Sequence, residues 1–391
     1  MIDPFEINIP DAVLEDLTSR LERVRLAPDL DNSDWSYGTE AGYLAELCRY
    51  WARDFDWRTQ EKAINAWPHF KTEIDGTPIH FMHIRGKGPE GAAPLPLILN
   101  HGWPWTFWDY YKIIGPLSDP AAFGGDPADA FDLVVPSLPG FGFSTPLQVS
   151  GLNFWRTADL WVELMDRLGY GRFASFGSDW GGLVTSQLGH KYADRMLGIY
   201  LTFAAPLSII LQPLPTADEY GPDEQDMFAR TADFFATGSG YSAIQFTRPQ
   251  SIGHALNDSP AGLASWMVEK RRAWSDCKGD VESVFTKEEL LTTLTIYWAT
   301  QTAASSARYY AELLRQPWSP AHAGTPLIDV PTGFAAFEQE VLQMPRSWFE
   351  RTYDLQRYNR FSKGGHFAAM EQPTVVIDEL RAFFRPLRSS M

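Results

Sequence analysis

A glycine-rich turn between a predicted strand and a predicted helix constrains the fold more than any other feature of the sequence. The apolar run at 173–176 is typical of a buried strand, and residues 183–192 have the pattern of a helix. The segment between them includes Gly177-Ser178-Asp179-Trp180-Gly181-Gly182. Its glycines allow the chain to reverse sharply and hold the Asp179 side chain at the end of the strand. The pattern therefore predicts a sheet that presents one carboxylate at its edge.

The residue at the centre of this turn determines the chemistry that we expect. Turns of this kind commonly carry serine at the centre, whereas this chain carries Asp179, with Ser178 one position away. A carboxylate nucleophile displaces a leaving group from a saturated carbon and is left as an alkyl ester. Epoxide opening and carbon–halogen cleavage fit that chemistry, and peptide or lipid hydrolysis fits it poorly.

Strands and helices alternate around this turn. The strand patterns cover 95–99, 131–135 and 196–203, and the helical patterns cover 106–117 and 153–168. The alternation predicts an α/β fold with a mostly parallel sheet and right-handed crossovers.

Interruptions of the alternation divide the chain into four predicted parts. They are an N-terminal helical extension (residues 1–75), the first part of the α/β core (76–205), an all-helical cap (206–320) and the second part of the core (321–391). The cap begins at Pro206, and it contains a capping box made by Thr286 and Glu289.

The parts outside the first core segment have their own patterns. The extension has helical patterns at 11–25, 39–54 and 58–67, followed by a hairpin with strands at 70–74 and 79–84. The second core segment has strand patterns at 327–333 and 351–358 and a last helix at 374–384.

Charge and cysteine content favour an intracellular small-molecule protein. The net charge of −16 disfavours nucleic acid and anionic membranes as partners. We interpret the basic run Lys270-Arg271-Arg272 as a solvated helix face. Cys48 and Cys277 do not form a disulfide framework or a metal-type pair, which favours a reducing compartment. Residues 1–10 lack a signal-peptide pattern, so we expect a cytoplasmic protein without a membrane anchor.

Two segments are placed to supply backbone N–H groups to a developing oxyanion. His101-Gly102-Trp103-Pro104 directly follows the predicted strand at 95–99. In a fold with this nucleophile turn, that loop supplies one donor and the residue after the nucleophile supplies the other. These donors are the amides of Trp103 and Trp180. A tight turn between strand and helix is the alternative interpretation of the loop.

A histidine near the C-terminus completes a catalytic order. Gly364-Gly365-His366-Phe367 lies between the last predicted strand and the last helix. The order nucleophile, acid, histidine along the chain predicts that His366 is the base. The acid follows the strand pattern at 327–333, where Glu338 and Glu340 are both candidates, and their spacing does not choose between them.

Epoxide opening also requires a proton donor, because the alkoxide that forms is a poor leaving group. Tyrosine hydroxyls of the cap are suitable, and the candidates are Tyr241, Tyr309 and Tyr310. The loop at 139–144 carries Phe141 and Phe143, which we expect at the mouth of the substrate pocket. The sequence shows no metal-binding constellation and no nucleotide-binding pattern, so we expect neither a metal nor a cofactor.

With these motifs the chain resembles the epoxide hydrolases of the α/β-hydrolase superfamily, and in particular the microsomal and juvenile-hormone branch. The similarity extends over nearly the whole chain, at residues 4–70, 101–104, 177–182, 255–264, 330–334 and 364–369. It implies an α/β-hydrolase fold with an α-helical cap and an N-terminal extension. The implied reaction converts an apolar aryl or alkyl epoxide and water into a vicinal diol through an aspartyl ester, in detoxification or secondary metabolism.

The resemblance also assigns individual roles. It implies that Asp179 is the nucleophile and His366 the base, and it selects Glu340 as the acid. It makes Tyr241 and Tyr310 the proton donors and leaves Tyr309 as a packing residue. Trp105 stands where the family often has a small residue, so we expect it to reshape the substrate pocket.

Two other functions remain as alternatives. A haloalkane dehalogenase would share the aspartate turn and the histidine, but it would not need two cap tyrosines. A ligand-binding protein of the same fold would need none of the three catalytic side chains. A homodimer is left open.

Overall fold

A nine-stranded sheet runs through the centre of the computed structural model, which describes residues 1–203 and 205–390. Its strands are β1 (Asp3–Phe5), β2 (His69–Ile74), β3 (Thr77–Ile84), β4 (Leu95–Asn100), β5 (Phe131–Pro136), β6 (Phe173–Gly177), β7 (Met196–Leu201), β8 (Ile328–Gln339) and β9 (Tyr353–Gly365). They are arranged in the order β1-β2-β3-β5-β4-β6-β7-β8-β9. The six strands β5, β4, β6, β7, β8 and β9, in that spatial order, pair in parallel. Strands β3, β2 and β1 continue the sheet beyond β5 in antiparallel pairs. The predicted α/β fold with a mostly parallel sheet is therefore confirmed.

Fifteen α-helices surround the sheet in the residues that the structure describes. They are α1 (Asp11–Leu21), α2 (Ala41–Arg53), α3 (Trp57–Ile64), α4 (Tyr111–Ser118), α5 (Phe154–Arg167), α6 (Trp180–Lys191), α7 (Gln225–Asp233), α8 (Gly240–Thr247), α9 (Pro249–Asp258), α10 (Pro260–Ala273), α11 (Lys287–Thr300), α12 (Ala303–Arg315), α13 (Arg346–Thr352), α14 (Ala368–Glu371) and α15 (Pro373–Phe384). Helices α7 to α12 follow one another without an intervening strand. The division into four parts stays a prediction. Strand β2 belongs to the predicted extension, yet it joins the same sheet as the strands of the predicted core.

The central strands are buried on both faces, which explains their nearly continuous apolar sequences. All six residues of β5, all five of β6 and all six of β7 are buried. Helices α5 and α6 pack against each other, and α15 packs against α4. A rigid sheet of this kind fixes the ends of its parallel strands, where the candidate site lies.

Several predicted elements occur with shifted limits. The hairpin turns at Asp75 and Gly76, which both have positive φ angles, as this two-residue turn requires. The predicted helix at 106–117 is a short 3₁₀ segment, Phe107–Tyr110, followed by α4. The predicted strand at 351–358 begins too early, because Arg351 still belongs to α13. The three-residue strand β1 was not predicted, since it is too short to show an alternating pattern.

The predicted solvated face at Lys270-Arg271-Arg272 was wrong for its first two residues. Only 7% of Lys270 and 4% of Arg271 is exposed. The ammonium group of Lys270 contacts Glu269 and lies 5.1 Å from the ring centre of Tyr241. The guanidinium group of Arg271 pairs with the buried Asp109 at 2.6 Å. A basic run can therefore face inward when aromatic rings and a carboxylate receive its charges.

Cys48 and Cys277 are both free and buried. Across residues 1–203 and 205–390, none of the helices combines the length and the apolar character that crossing a membrane requires.

Candidate active site

The turn between β6 and α6 has the sharp geometry that its glycines predict. Asp179 has φ 52° and ψ −129°, a strained conformation for a residue with a side chain. A Cβ atom on Gly177 would lie 2.1 Å from the Gly181 carbonyl oxygen, and one on Gly181 would lie 1.9 Å from that of Asn100. The close approach of three backbone segments therefore requires glycine at both positions.

The Asp179 carboxylate is held by the loop that follows β4. The backbone N–H of Trp103 donates a hydrogen bond to Asp179 Oδ1 at 2.7 Å. Gly102 makes this approach possible, since a Cβ atom there would lie 2.1 Å from the same oxygen. Trp180 is the first residue of α6, so its N–H is one of the helix donors without an intrahelical partner. Both predicted oxyanion donors thus lie next to Asp179, Trp180 as its neighbour along the chain and Trp103 as its hydrogen-bond partner.

His366 connects Asp179 to a second carboxylate. Its Nε2 lies 3.5 Å from Asp179 Oδ2, and its Nδ1 lies 2.9 and 3.0 Å from the two oxygens of Glu340. Glu340 directly follows β8 and is 1% exposed. The alternative acid, Glu338, lies on β8 and is partly exposed. The structure therefore places Glu340 against His366.

The environment of His366 favours its protonated form. Burial lowers the pKa of His366, but the carboxylates of Glu340 and Asp179 outweigh burial and raise the pKa to about 10. The backbone N–H of His366 donates to the Trp274 carbonyl oxygen at 2.8 Å, and the Trp274 ring lies 5.0 Å from the imidazole. The imidazole is thus fixed both by charge and by packing.

Two tyrosines, on helices α8 and α12, line a cavity together with the Asp179 carboxylate. Tyr241 on α8 stacks on Trp103 at 5.1 Å, and Tyr310 on α12 contacts Trp180 edge-on at 4.7 Å. Burial is the largest effect on both phenols, and it raises the pKa of each above its usual value. Both hydroxyls are therefore protonated at neutral pH. Tyr309 differs, because its hydroxyl is engaged with Thr157 Oγ1 at 2.7 Å.

The cavity between cap and sheet has a volume of about 230 Å³. Asp179, His366, Tyr241 and Tyr310 supply its principal polar groups. The rest of the wall is mainly apolar and includes Leu183, Phe203, Ile209, Ile210, Phe234, Phe235, Phe246, Trp274, Leu313, Val341 and Leu342. The sequence interpretation missed these apolar residues. Phe234 and Phe235 begin a π-helical turn, Phe234–Gly238, of a type often found at functional sites, but no sequence signal marks such turns.

The structure contradicts the prediction that Trp105, Phe141 and Phe143 line this pocket. All three are buried, and none of them lies on the cavity wall. Trp105 lies behind the site, with its ring 5.6 Å from His366 and 5.3 Å from Phe367. The two phenylalanines pack against other aromatic rings, because their loop turns toward the protein interior.

Comparison with known proteins identifies the relatives of this chain. A family description of the epoxide hydrolase N terminus matches residues 2–110, and one of the alpha/beta hydrolase fold matches residues 96–273. A relative from Stigmatella aurantiaca (strain DW4/3-1) is 43% identical and is named as an epoxide hydrolase. The match covers 99% of this chain and 86% of the relative. Epoxide hydrolase 1 of Oryctolagus cuniculus is 38% identical, with 98% of this chain and 88% of the relative covered.

A solved structure extends the similarity to three dimensions. The juvenile hormone epoxide hydrolase of the silkworm Bombyx mori superimposes with a TM-score of 0.87 at 28% identity, covering 100% of this chain and 95% of that one. The similarity therefore includes helices α1 to α3 and α7 to α12 as well as the sheet. The chain belongs to the epoxide hydrolases of the α/β-hydrolase fold, in the branch of the microsomal and juvenile-hormone enzymes.

Proposed function

We propose that this epoxide hydrolase converts a small apolar aryl or alkyl epoxide into a vicinal diol through a covalent ester on Asp179. The observation that carries the proposal is the position of Asp179 in an apolar cavity, with His366 at 3.5 Å and two protonated tyrosines on the wall. A volume of 230 Å³ is below the range of about 300–1,000 Å³ that is usual for drug-sized ligands. It suits one aromatic ring or a short alkyl chain. Detoxification or the tailoring of secondary metabolites is the biological setting that we propose.

The first step forms the ester. Tyr241 and Tyr310 donate hydrogen bonds to the epoxide oxygen, and Asp179 attacks one ring carbon from the opposite side. A carbon–oxygen bond forms to the carboxylate as the bond from that carbon to the epoxide oxygen breaks. One tyrosine transfers its proton to the released alkoxide, and a hydroxyalkyl ester remains. The buried phenols suit this role because they are neutral donors in the free enzyme.

The second step hydrolyses the ester. Esterification removes the negative charge of Asp179, which is one of the groups that raise the pKa of His366. The pKa of His366 therefore falls, and its proton passes to the tyrosinate that ring opening left behind. The neutral imidazole can then accept a proton from water. Water attacks the ester carbonyl carbon, and the amides of Trp103 and Trp180 stabilise the oxyanion. When this intermediate collapses, the bond between the carbonyl carbon and the diol oxygen breaks, and the carboxyl proton passes to that oxygen. The diol leaves, the Asp179 carboxylate is restored, and His366 is again protonated.

Blocking the second step tests the proposal. His366→Gln removes the base but leaves Asp179 and both tyrosines, so the ester is expected to accumulate. Incubation with styrene oxide, followed by intact-mass measurement and peptide mapping, should show an adduct of epoxide mass on the Asp179 peptide. Single turnover of the wild-type enzyme in heavy-oxygen water should place the Asp179 oxygen in the diol. Incorporation directly from solvent would contradict the covalent mechanism.

Carbon–halogen cleavage is the second candidate, and the position of Trp180 favours it. Its indole lines the cavity beside Asp179, where the N–H group could hold a departing halide. A haloalkane of the same size as the epoxide discriminates between the two. Halide release without diol formation from epoxides would select this alternative.

A further inference from the structure

We propose that Arg271 on the cap helix α10 is a positioning residue for ester hydrolysis. In this proposal, which rests on the proposed function, Arg271 fixes the loop that carries the Trp103 amide relative to the loop that carries His366. The resemblance to known enzymes assigns no role to this arginine, and the sequence predicted a solvated side chain.

Arg271 holds the first loop at two points. Its Nη2 donates to the carbonyl oxygen of Pro104 at 3.1 Å, and Pro104 directly follows the oxyanion donor Trp103. Its Nη1 pairs with Asp109 Oδ1 at 2.6 Å. The other oxygen of Asp109 accepts a hydrogen bond from the Thr106 amide at 2.8 Å. The guanidinium group thus fixes the path of the chain from Trp103 to Asp109.

The same guanidinium group contacts the second loop. Its central carbon lies 4.2 Å from the ring centre of Phe367, the residue that directly follows His366. The end of α10 supports this loop as well, since the Trp274 carbonyl oxygen accepts the His366 amide. A single side chain of α10 therefore touches a neighbour of Trp103 and a neighbour of His366, two of the groups that ester hydrolysis uses.

The chemistry of this contact requires arginine. The group is 4% exposed, and its partner Asp109 is 3% exposed, so water does not screen the pair. A planar guanidinium group donates in fixed directions while its face lies on an aromatic ring, and an ammonium group cannot do both. Because desolvation offsets much of the attraction in a buried pair, the pair specifies geometry more than it stabilises the fold.

These contacts predict that the two chemical steps respond differently. Ester hydrolysis depends on both loops, since it needs the Trp103 amide and His366 together. Ester formation depends on the donors Tyr241 and Tyr310, which lie on α8 and α12, outside the two loops that Arg271 joins. The Trp103 amide also holds Asp179 in the free enzyme, so a smaller effect on ester formation is expected.

The test measures both steps in Arg271→Lys and in the double variant Arg271→Met, Asp109→Asn. The double variant avoids an unpaired buried charge that could prevent folding. In rapid-mixing single turnovers with styrene oxide, the ester-hydrolysis rate constant should fall by about tenfold or more, as expected for displaced catalytic groups. The rate constant of ester formation should change by less than about threefold. Ester should accumulate in intact-mass spectra, and kcat should fall more than kcat/KM.

Arg272→Met is the matched control. It removes a neighbouring arginine of α10 whose guanidinium lies over Trp35 and bonds to the Gly279 carbonyl oxygen. It should leave both rate constants unchanged. Equal slowing of both steps in the folded Arg271 variants, or wild-type hydrolysis in them, would overturn the inference. Absence of any ester in the wild-type enzyme would instead overturn the proposed function.

Discussion

At the scale of single residues, the groups that we propose for ring opening lie on different elements from those that we propose for hydrolysis. The phenols of Tyr241 and Tyr310 lie on helices α8 and α12, whereas His366 and its partner Glu340 follow strands of the sheet. Tyr241 stacks on Trp103 and Tyr310 contacts Trp180 edge-on, and each of these tryptophans also supplies a proposed oxyanion amide. The proposed proton donors therefore pack on the two residues whose amides lie beside Asp179.

Removing either phenol hydroxyl should slow ester formation selectively. For Tyr241→Phe and Tyr310→Phe we expect ester formation to fall by about 100-fold, the lower range for a lost general acid. Hydrolysis of the ester, once formed, should change little, since the proposed base is His366. Stopped-flow single turnovers separate the two rates. Tyr309→Phe is the control, because its hydroxyl bonds to Thr157 and should not affect either rate. Equal slowing of both steps would remove the tyrosines from the role of proton donor.

At the scale of elements, local patterns predicted what is encoded locally. The nucleophile turn, the hairpin at Asp75 and the capping box at Thr286 depend on a few adjacent residues, and all three occur in the structure. The direction in which a loop side chain points depends on distant packing. For this reason the sequence placed Phe141 in the pocket, although it is buried in the interior. It placed Arg271 in solvent, although this side chain pairs with Asp109.

The loop after β4 also sets the position of the nucleophile, and Gly102 is the sensitive point. In Gly102→Ala the added Cβ atom would lie 2.1 Å from Asp179 Oδ1, so the carboxylate or the loop must move. A displacement of about 1 Å can cost about 100-fold in rate, and we expect a loss of ester formation of that order. Gly171→Ala is the matched control, since its Cβ atom would meet no atom within 4 Å. Ester formation measured by intact mass over time checks the difference, and wild-type rates in Gly102→Ala would contradict it.

At the scale of the whole molecule, a buried histidine pair joins the N-terminal extension to the core. His69 Nδ1 and His80 Nε2 lie 3.0 Å apart, His69 contacts the Ile64 carbonyl oxygen at the end of α3, and His80 contacts Ser137 Oγ. Burial is the main cause that lowers the pKa of both imidazoles, and the charges of neighbouring His69, Lys71 and His101 lower that of His80 further. The junction thus requires neutral histidines.

The folded protein should therefore lose stability in acid. Above the unfolded pKa of about 6.5 both states carry neutral histidines, whereas below it the unfolded chain binds protons that the folded pair resists. Between pH 7.5 and 5.5 the pair should lower the free energy of unfolding by at most about 1.4 kcal/mol per histidine. Denaturant unfolding at both pH values measures the loss, and His80→Gln should reduce it. His254→Gln, at an exposed position, is the control. His366 does not contribute to this loss, because its pKa is raised and the stability that it provides is lost only as the pH rises. An unchanged pH dependence in His80→Gln would show that groups other than the histidine pair govern stability in acid.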